Sequence, residues 1–173
     1  MTGTGRDPEL THLDAAGAAR MVDVGAKDVT LREATAGCTV VMTPETATKL
    51  ASGDLPKGDA LPVIRLAGIQ AAKRTWELIP LCHQVALTSV DVTVDLDVTA
   101  GRAELTATAR AADRTGVEME AFVACTTAAL TLYDLVKAVQ RDVVITDVRL
   151  LAKSGGRSGD YRAPLPPDGT GGE

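Results

Sequence analysis

Polar and apolar residues alternate most strictly where Val90, Val92, Val94, Leu96 and Val98 are interleaved with Asp91, Thr93, Asp95 and Asp97. A period of two with one apolar set predicts a half-buried strand. Thr99-Ala100-Gly101 reads as a turn. Ala103, Leu105, Ala107 and Ala109 then alternate with Glu104, Thr106, Thr108 and Arg110, which predicts the antiparallel partner of a hairpin. Residues 29–42 are rich in β-branched side chains and predict a further extended segment, with a shorter strand over 20–24 and a last one over 143–151.

Between these runs the period lengthens. Thr43 followed by Pro44 is a helix start, with the hydroxyl as cap and proline at the first helical position; that helix ends near Gly53. Residues 54–59 form a loop by their Pro, Gly and Asp content and present Lys57 on a turn. Val63, Ile64, Leu66, Ala67, Ile69, Ala71 and Ala72 recur at helical spacing, predicting a helix over 60–79 that carries Lys73 and Arg74 and is ended by Pro80. Leu81-Cys82-His83 is thereby placed at a corner. The longest helical stretch is 115–141, with Thr115 or Gly116 as cap and Glu118 and Glu120 in the first turn, where the helix dipole favours carboxylates. From Ala121 to Leu132 it is apolar or small almost all round, as in a helix buried on most of its surface. Strand, helices, strand, strand, helix, strand is the order of a split βαβ, ferredoxin-like α+β domain, an antiparallel sheet with helices packed on one face.

Composition narrows this picture. A chain of 173 residues fits one domain, expected over 11–162, with disordered segments at 1–10 and 163–173. Aromatics are only 2%, so the core is built from Val, Leu, Ala and Ile. The net charge of −5 from 18 basic and 23 acidic residues gives no general pull toward nucleic acid. Cys38, Cys82 and Cys125 are odd in number and lack CxxC spacing, which indicates neither a disulfide framework nor a zinc site and suits a reducing cytosol. No apolar run approaches the roughly 18 residues needed to cross a bilayer and the first dozen residues hold no apolar h-region, so a cytoplasmic protein without a membrane partner is expected.

The candidate chemistry is scattered. Asp134 and Lys137 share a helix face beside Leu132, Leu135, Val136 and Val139, a spacing that by itself favours a plain ion pair at the edge of the core and is also compatible with a functional pair. At about 1.5 Å rise per residue, Glu120 and Asp134 lie roughly 21 Å apart along one helix, so a ligand touching both is extended or its pocket is assembled from two chains. The stretch 153–162 combines three cations, Lys153, Arg157 and Arg162, with glycines; it reads as a basic linker or as a phosphate cradle. Lys73-Arg74 reads as a solvated face or a phosphate contact. Cys82 and His83 are neighbours whose side chains point opposite ways in extended chain, so no thiol-base dyad is expected, and His83 is left with a single hydrogen bond.

Taken together, LTHLDAAGAARMVDVGAK from Leu10, KGD at 57–59, AGIQAAKRTWELIPLCH at 67–83, TGVEMEA at 115–121, ALTLYDLVKAVQ at 129–140 and VRLLAKSGGRSGDY at 148–161 closely resemble the cyclic pyranopterin monophosphate synthase family, the C component of molybdenum cofactor biosynthesis. The resemblance runs from about Leu10 to Arg162, each block in order and at compatible spacing. It implies a ferredoxin-like subunit in a homohexamer, a trimer of dimers with active sites at subunit interfaces. It implies conversion of 3′,8-cyclo-7,8-dihydro-GTP, supplied by a radical SAM GTP cyclase, into cyclic pyranopterin monophosphate with release of pyrophosphate. Carried over residue by residue, Asp134 and Lys137 are catalytic. Leu81, Cys82, His83, Glu118, Met119, Glu120, Lys57, Lys73, Arg74 and Lys153 contact substrate. Asp134 and Lys137 would share the proton transfers, tuned by proximity and partial burial; Lys57, Lys153 and the glycine-rich backbone would meet the leaving pyrophosphate; Glu118 and Glu120 would accept from the guanine-derived N–H groups. No cofactor is required and no metal site is expected, although Mg²⁺ accompanying the triphosphate is compatible. One departure is Gln84, where the family commonly has proline after LCH. The rival readings are a non-enzymatic ferredoxin-like module binding a nucleotide-like anion at a subunit interface, and a scaffold that has lost turnover.

Overall fold

The computed structural model describes residues 17–164, so the segments expected to be disordered fall mainly outside the described residues. The chain runs β1 (Thr30–Val41), α1 (Pro44–Ser52), α2 (Ala60–Ala72), α3 (Thr75–Leu78), β2 (Leu87–Asp97), β3 (Arg102–Asp113), α4 (Glu118–Val136), β4 (Val144–Ser154) and β5 (Tyr161–Arg162). The strands form one sheet in the order β2-β3-β1-β4-β5, every neighbouring pair antiparallel. This is the ferredoxin-like arrangement that the order of elements predicts, with a fifth short strand added at the edge.

The alternation in the central strands decides which face is covered. Ala34, Ala36, Cys38 and Val40 of β1, and Ala103, Leu105, Ala107, Ala109 and Ala111 of β3, are buried on the side that receives α4. The other face is polar and self-satisfied: Thr35 and Thr108 hydroxyls lie 2.8 Å apart, those of Thr93 and Thr106 2.6 Å, and Arg110 bridges Glu33 and Asp91. Helix α4 presents Ala121, Ala124, Cys125, Ala128, Ala129 and Leu132 to the sheet, all fully buried. By length and apolarity alone α4 could cross a bilayer, but 56% of it is buried within the domain and it is the core helix here.

Thr43 caps α1 through its Oγ1, with Pro44 at the first position and Gly53 closing the helix at φ 71°, as its sequence predicts. Four expectations change. Residues 20–24 are not a strand, because Asp23 Oδ1 accepts the Gly25 N–H at 2.8 Å and this local turn displaces ladder pairing. The helix expected over 60–79 ends at Ala72 and breaks at Lys73-Arg74; the buried Thr75 turns its hydroxyl back to the Ala72 carbonyl (3.0 Å) and starts the one-turn α3. Helix α4 is shorter than 115–141, beginning at Glu118 with no side-chain cap from Thr115 or Gly116 and ending at Val136, after which Val139 and Gln140 both donate to the Val136 carbonyl. Finally, residues 155–160 are a tight turn rather than a linker, returning Tyr161–Arg162 to pair with Lys153 and Ala152.

Helix α2 lies across α4 at Gly68. A Cβ placed there would stand 2.8 Å from the Ala124 carbonyl oxygen and 3.0 Å from Val92 Cγ2, so the two backbones touch directly. Gly68→Ala should therefore destabilise the domain by about 1–3 kcal/mol, the range for overpacking a filled core, despite alanine's better helix propensity. Urea unfolding of the two proteins checks this; equal midpoints would show that α2 can move away from α4 without cost.

Candidate active site

Two polar clusters stand at opposite ends of α4. At the N-terminal end, the segment after α3 brings Leu81, Cys82 and His83 against the first helical turn, Glu118, Met119 and Glu120, around a cavity of about 520 Å³. His83 Nε2 meets the Val22 carbonyl at 2.8 Å, so this histidine pins the N-terminal segment across the mouth. Arg32 of β1 donates to the carbonyls of Asp113 (3.2 Å) and Arg114 (3.4 Å) and holds the β3–α4 loop in place. Arg114 in turn donates to the Lys27 carbonyl at 3.0 Å. Lys153 Nζ lies 3.4 Å from Glu118 Oε1 and donates to Ser158, which ties the glycine-rich turn to the same cavity.

Glycines make that turn possible. Gly155 and Gly156 have φ of 86° and 79°, and a Cβ on Gly156 would collide with the Arg32 guanidinium. The cavity thus has two carboxylates on one side, and Lys27, Arg32, Arg114 and Arg157 on the other. Glu118 is matched by Lys153, whereas Glu120 is 4% exposed and has no ion-pair partner among the described residues. Burial first, then the charges of Glu118 and Asp113, push the Glu120 carboxyl up to about 7. It can therefore give or take a proton near neutrality. Burial and the Glu120 charge raise the Cys82 thiol, which stays protonated and is no nucleophile.

At the other end of α4, Asp134 receives two ammonium groups. Lys137 Nζ lies 2.6 Å from Oδ1, and Lys57 Nζ, carried by the turn before α2, lies 2.5 Å from Oδ2 and 3.3 Å from the Asp134 carbonyl. These side chains are half exposed, between 49% and 52%. The hydrogen bonds from Lys137 and Lys57 hold the Asp134 carboxyl down at about 2, and the same contact raises Lys137. The expected tuning by partial burial is thus corrected: direct pairing in solvent sets both groups, and it moves them away from neutrality. Lys73 and Arg74 join neither cluster and stand exposed at the α2–α3 junction. Nor do they ride on a continuous helix as expected.

What composition and spacing did not single out is Arg32, read only as part of an extended run, and the burial of Glu120. The sole sequence signal for the first is a charged pair, Arg32-Glu33, inside an otherwise β-branched and small-residue strand. Among the described residues no three of His, Cys, Asp and Glu converge to hold a metal ion.

Residues 21–156 match the model of the MoaC family. The chain is 58% identical over 153 residues to the cyclic pyranopterin monophosphate synthase of Roseiflexus sp. (strain RS-1), covering 88% of this chain and 97% of that protein. It is 56% identical over 155 residues to that of Parvibaculum lavamentivorans, covering 90% and 97%. With the protein of the same name from Streptomyces coelicolor it shares 54% over 162 residues, covering 92% and 94%.

The buried Glu120 carries a consequence for pH. Its carboxyl titrates at about 7 in the fold against an ordinary 4.5, so the folded state favours the protonated form. That stability is present in full below 4.5 and is lost as pH rises to about 7, for a total of about 3 kcal/mol. Glu120→Gln should equal the parent near pH 4.5 and exceed it by up to this amount at pH 8, as measured by chemical denaturation at both pH values. A constant difference across the range would show that Glu120 is not neutralised by burial.

Proposed function

The chain belongs to the MoaC family, and we propose from that premise that its α4 clusters are the two halves of a cyclic pyranopterin monophosphate synthase site. The protein is an enzyme of molybdenum cofactor biosynthesis acting on a small-molecule substrate. What carries the reading of the site is the separation of its parts. Fourteen residues of helix, roughly 21 Å, divide Glu120 from Asp134, a span that one small ligand in one chain does not bridge. A second copy docking end to end on α4 supplies the missing half, and we take the assembly to be the homohexamer, a trimer of dimers, in the cytoplasm.

The proposed substrate is 3′,8-cyclo-7,8-dihydro-GTP, delivered by a radical SAM GTP cyclase. Its guanine-derived edge offers N–H groups, which Glu118 accepts as a carboxylate and Glu120 accepts or protonates according to its charge. Its triphosphate is anionic; Lys27, Arg114 and Arg157 line the cavity, and Lys153 lines an adjoining pocket with the glycine-rich turn. Expelling pyrophosphate as the α-phosphate cyclises needs fixed positive charge on the leaving oxygens, which these groups and Lys57 of the other copy supply. Asp134 and Lys137 are the proposed catalytic pair. In the structure they are locked together, so substrate must take over the Lys57 contact before Asp134 can accept a proton. Lys73 and Arg74 are kept as peripheral phosphate contacts at the subunit boundary. No resident cofactor is needed in this scheme, and any Mg²⁺ travels with the triphosphate as part of the substrate.

Incubating the purified protein with the cyclic dihydro-GTP intermediate tests the scheme. Pterin product and pyrophosphate should form with the parent chain and fall by at least about 100-fold in Asp134→Asn and Lys137→Ala while folding and assembly persist. Substrate binding without turnover by the folded parent would replace the synthase with an anion-binding module. Mixing decides the two-chain site. Subunits of Asp134→Asn and Glu120→Gln, each inactive alone, should recover up to about a quarter of parental turnover when refolded together, since random pairing rebuilds that share of intact sites. Absence of recovery would show that Asp134 and Glu120 of the same chain serve one site, and would sink the two-chain reading.

A further inference from the structure

One pair of reactive groups lies outside the proposed catalytic scheme. Cys38 of β1 and Cys125 of α4 are 87 positions apart in sequence, yet their sulfurs stand 3.2 Å apart in the core. Both are free thiols, 3% and 0% exposed. Their remaining polar contacts are weak: Cys125 Sγ lies 3.6 Å from the Leu105 carbonyl and Cys38 Sγ 3.9 Å from the Cys125 carbonyl.

We propose that Cys38 and Cys125 form a dithiol that a peroxide oxidises to an intramolecular disulfide, pinning α4 to β1. A disulfide needs the sulfurs at about 2.0 Å, so they must close by roughly 1.2 Å. The surroundings permit this. Ala36 and Ala107 on the sheet, with Ala121, Ala128 and Ala129 on the helix, present single methyl groups to the interface, and few bulky side chains stand between the layers. The pair is also polarised: the Cys125 thiol donates toward the Cys38 sulfur, which lowers the proton affinity of Cys38 and raises that of Cys125. Cys38 is therefore the nucleophile.

The steps balance. The Cys38 sulfur attacks one peroxide oxygen; the O–O bond breaks, a sulfenic acid forms and the second oxygen leaves as water with the thiol proton. The Cys125 sulfur then attacks Cys38, the S–S bond forms, the S–O bond breaks and a second water departs with the Cys125 proton. Two thiols are oxidised and one peroxide is reduced to two waters. Cys38 and Cys125 are only 3% and 0% exposed, so an oxidant as small as hydrogen peroxide is the kind that reaches the pair, and a bulky disulfide does not.

The pinned element is the one that matters for the site. Cys125 sits between Glu120 and Asp134 on α4, so drawing the helix toward β1 shifts both ends. Displacements near 1 Å at a catalytic group cost about 10- to 100-fold in turnover. Partly buried Cys82 in the cavity has no second sulfur beside it among the described residues and follows a different course on oxidation.

The experiment treats the folded native assembly with hydrogen peroxide, blocks free thiols, and maps peptides without reduction. A Cys38–Cys125 cross-linked peptide lighter by two hydrogens is expected, together with a Tm about 10 °C higher, since the bond closes a long loop. Turnover should fall about tenfold or more relative to equally treated Cys38→Ala and Cys125→Ala, and dithiothreitol should reverse both changes. The two alanine variants, compared with the parent, separate the effect of the cross-link from damage at Cys82, which all three proteins keep. The covalent readout stands whether or not the synthase reading holds. Recovery of Cys38 and Cys125 as free thiols after Cys82 is fully oxidised would overturn the proposal, and so would a cross-link that forms only in denaturant or equally with a bulky disulfide oxidant.

Discussion

The close approach of α4 to its neighbours is the constraint on which the rest of the molecule depends. With 2% aromatic residues, the layers are separated mainly by alanine methyl groups, and at Gly68 the α2 and α4 backbones are separated by nothing. Interiors packed this tightly do not deform continuously. A helix so held does not roll or slide freely to suit a ligand; a covalent bond such as the proposed disulfide is what would draw it toward the sheet, and its two ends would move with it. That rigidity is what lets groups as distant as Glu120 and Asp134 be placed by one element, and it is also why they cannot approach each other within a chain.

The two ends differ because the solvent differs. At the N-terminus of α4 the corner at Leu81–His83, the β3–α4 loop and the glycine-rich turn converge over the helix, so Glu120 loses its hydration and is driven toward the neutral acid. At the C-terminus the turn bearing Lys57 comes near, and water reaches the half-exposed Asp134. There a carboxylate keeps its charge, and two ammonium groups gather on it. Such exposed pairs add little to stability. Their value in the proposed scheme lies in position: they are a charged cluster on a rigid stalk that can be inserted elsewhere.

Legibility followed the range of the forces involved. The Val/Asp alternation of β2, the alanine-rich partner strand and the Thr43-Pro44 start of α1 are local patterns whose periods or caps force one structure, and each stands where it is expected. The break at Lys73-Arg74 was hidden because no residue there opposes a helix; the buried Thr75 and its bond to Ala72 decide it only once α4 has packed. The return of Tyr161–Arg162 was hidden for a related reason. Glycines at 155, 156 and 159 are compatible with a linker or with a turn, and only the pairing edge offered by β4 selects the turn. For the site, residue types were legible through the family blocks, while the burial of Glu120 and the organising contacts of Arg32 depend on segments far apart in sequence.

Charge makes the argument for a second copy independent of distance. The cavity at the Glu120 end faces Lys27, Arg32, Arg114 and Arg157; Glu118 is matched by Lys153 beside it, and Glu120, with no cation of its own among the described residues, is about half protonated at pH 7. It is rich in groups that bind an anion, and Glu120 is the one carboxyl there that exchanges a proton near neutrality. The Asp134 end has the reverse composition, a fully ionised carboxylate with two cations and no enclosing walls. In the proposed scheme the enclosed, cationic half holds the phosphates and the ionised half joins Glu120 in transferring protons. In the proposed scheme each half supplies what the other lacks, and because the helix keeps them roughly 21 Å apart the scheme takes the complement from a neighbouring subunit.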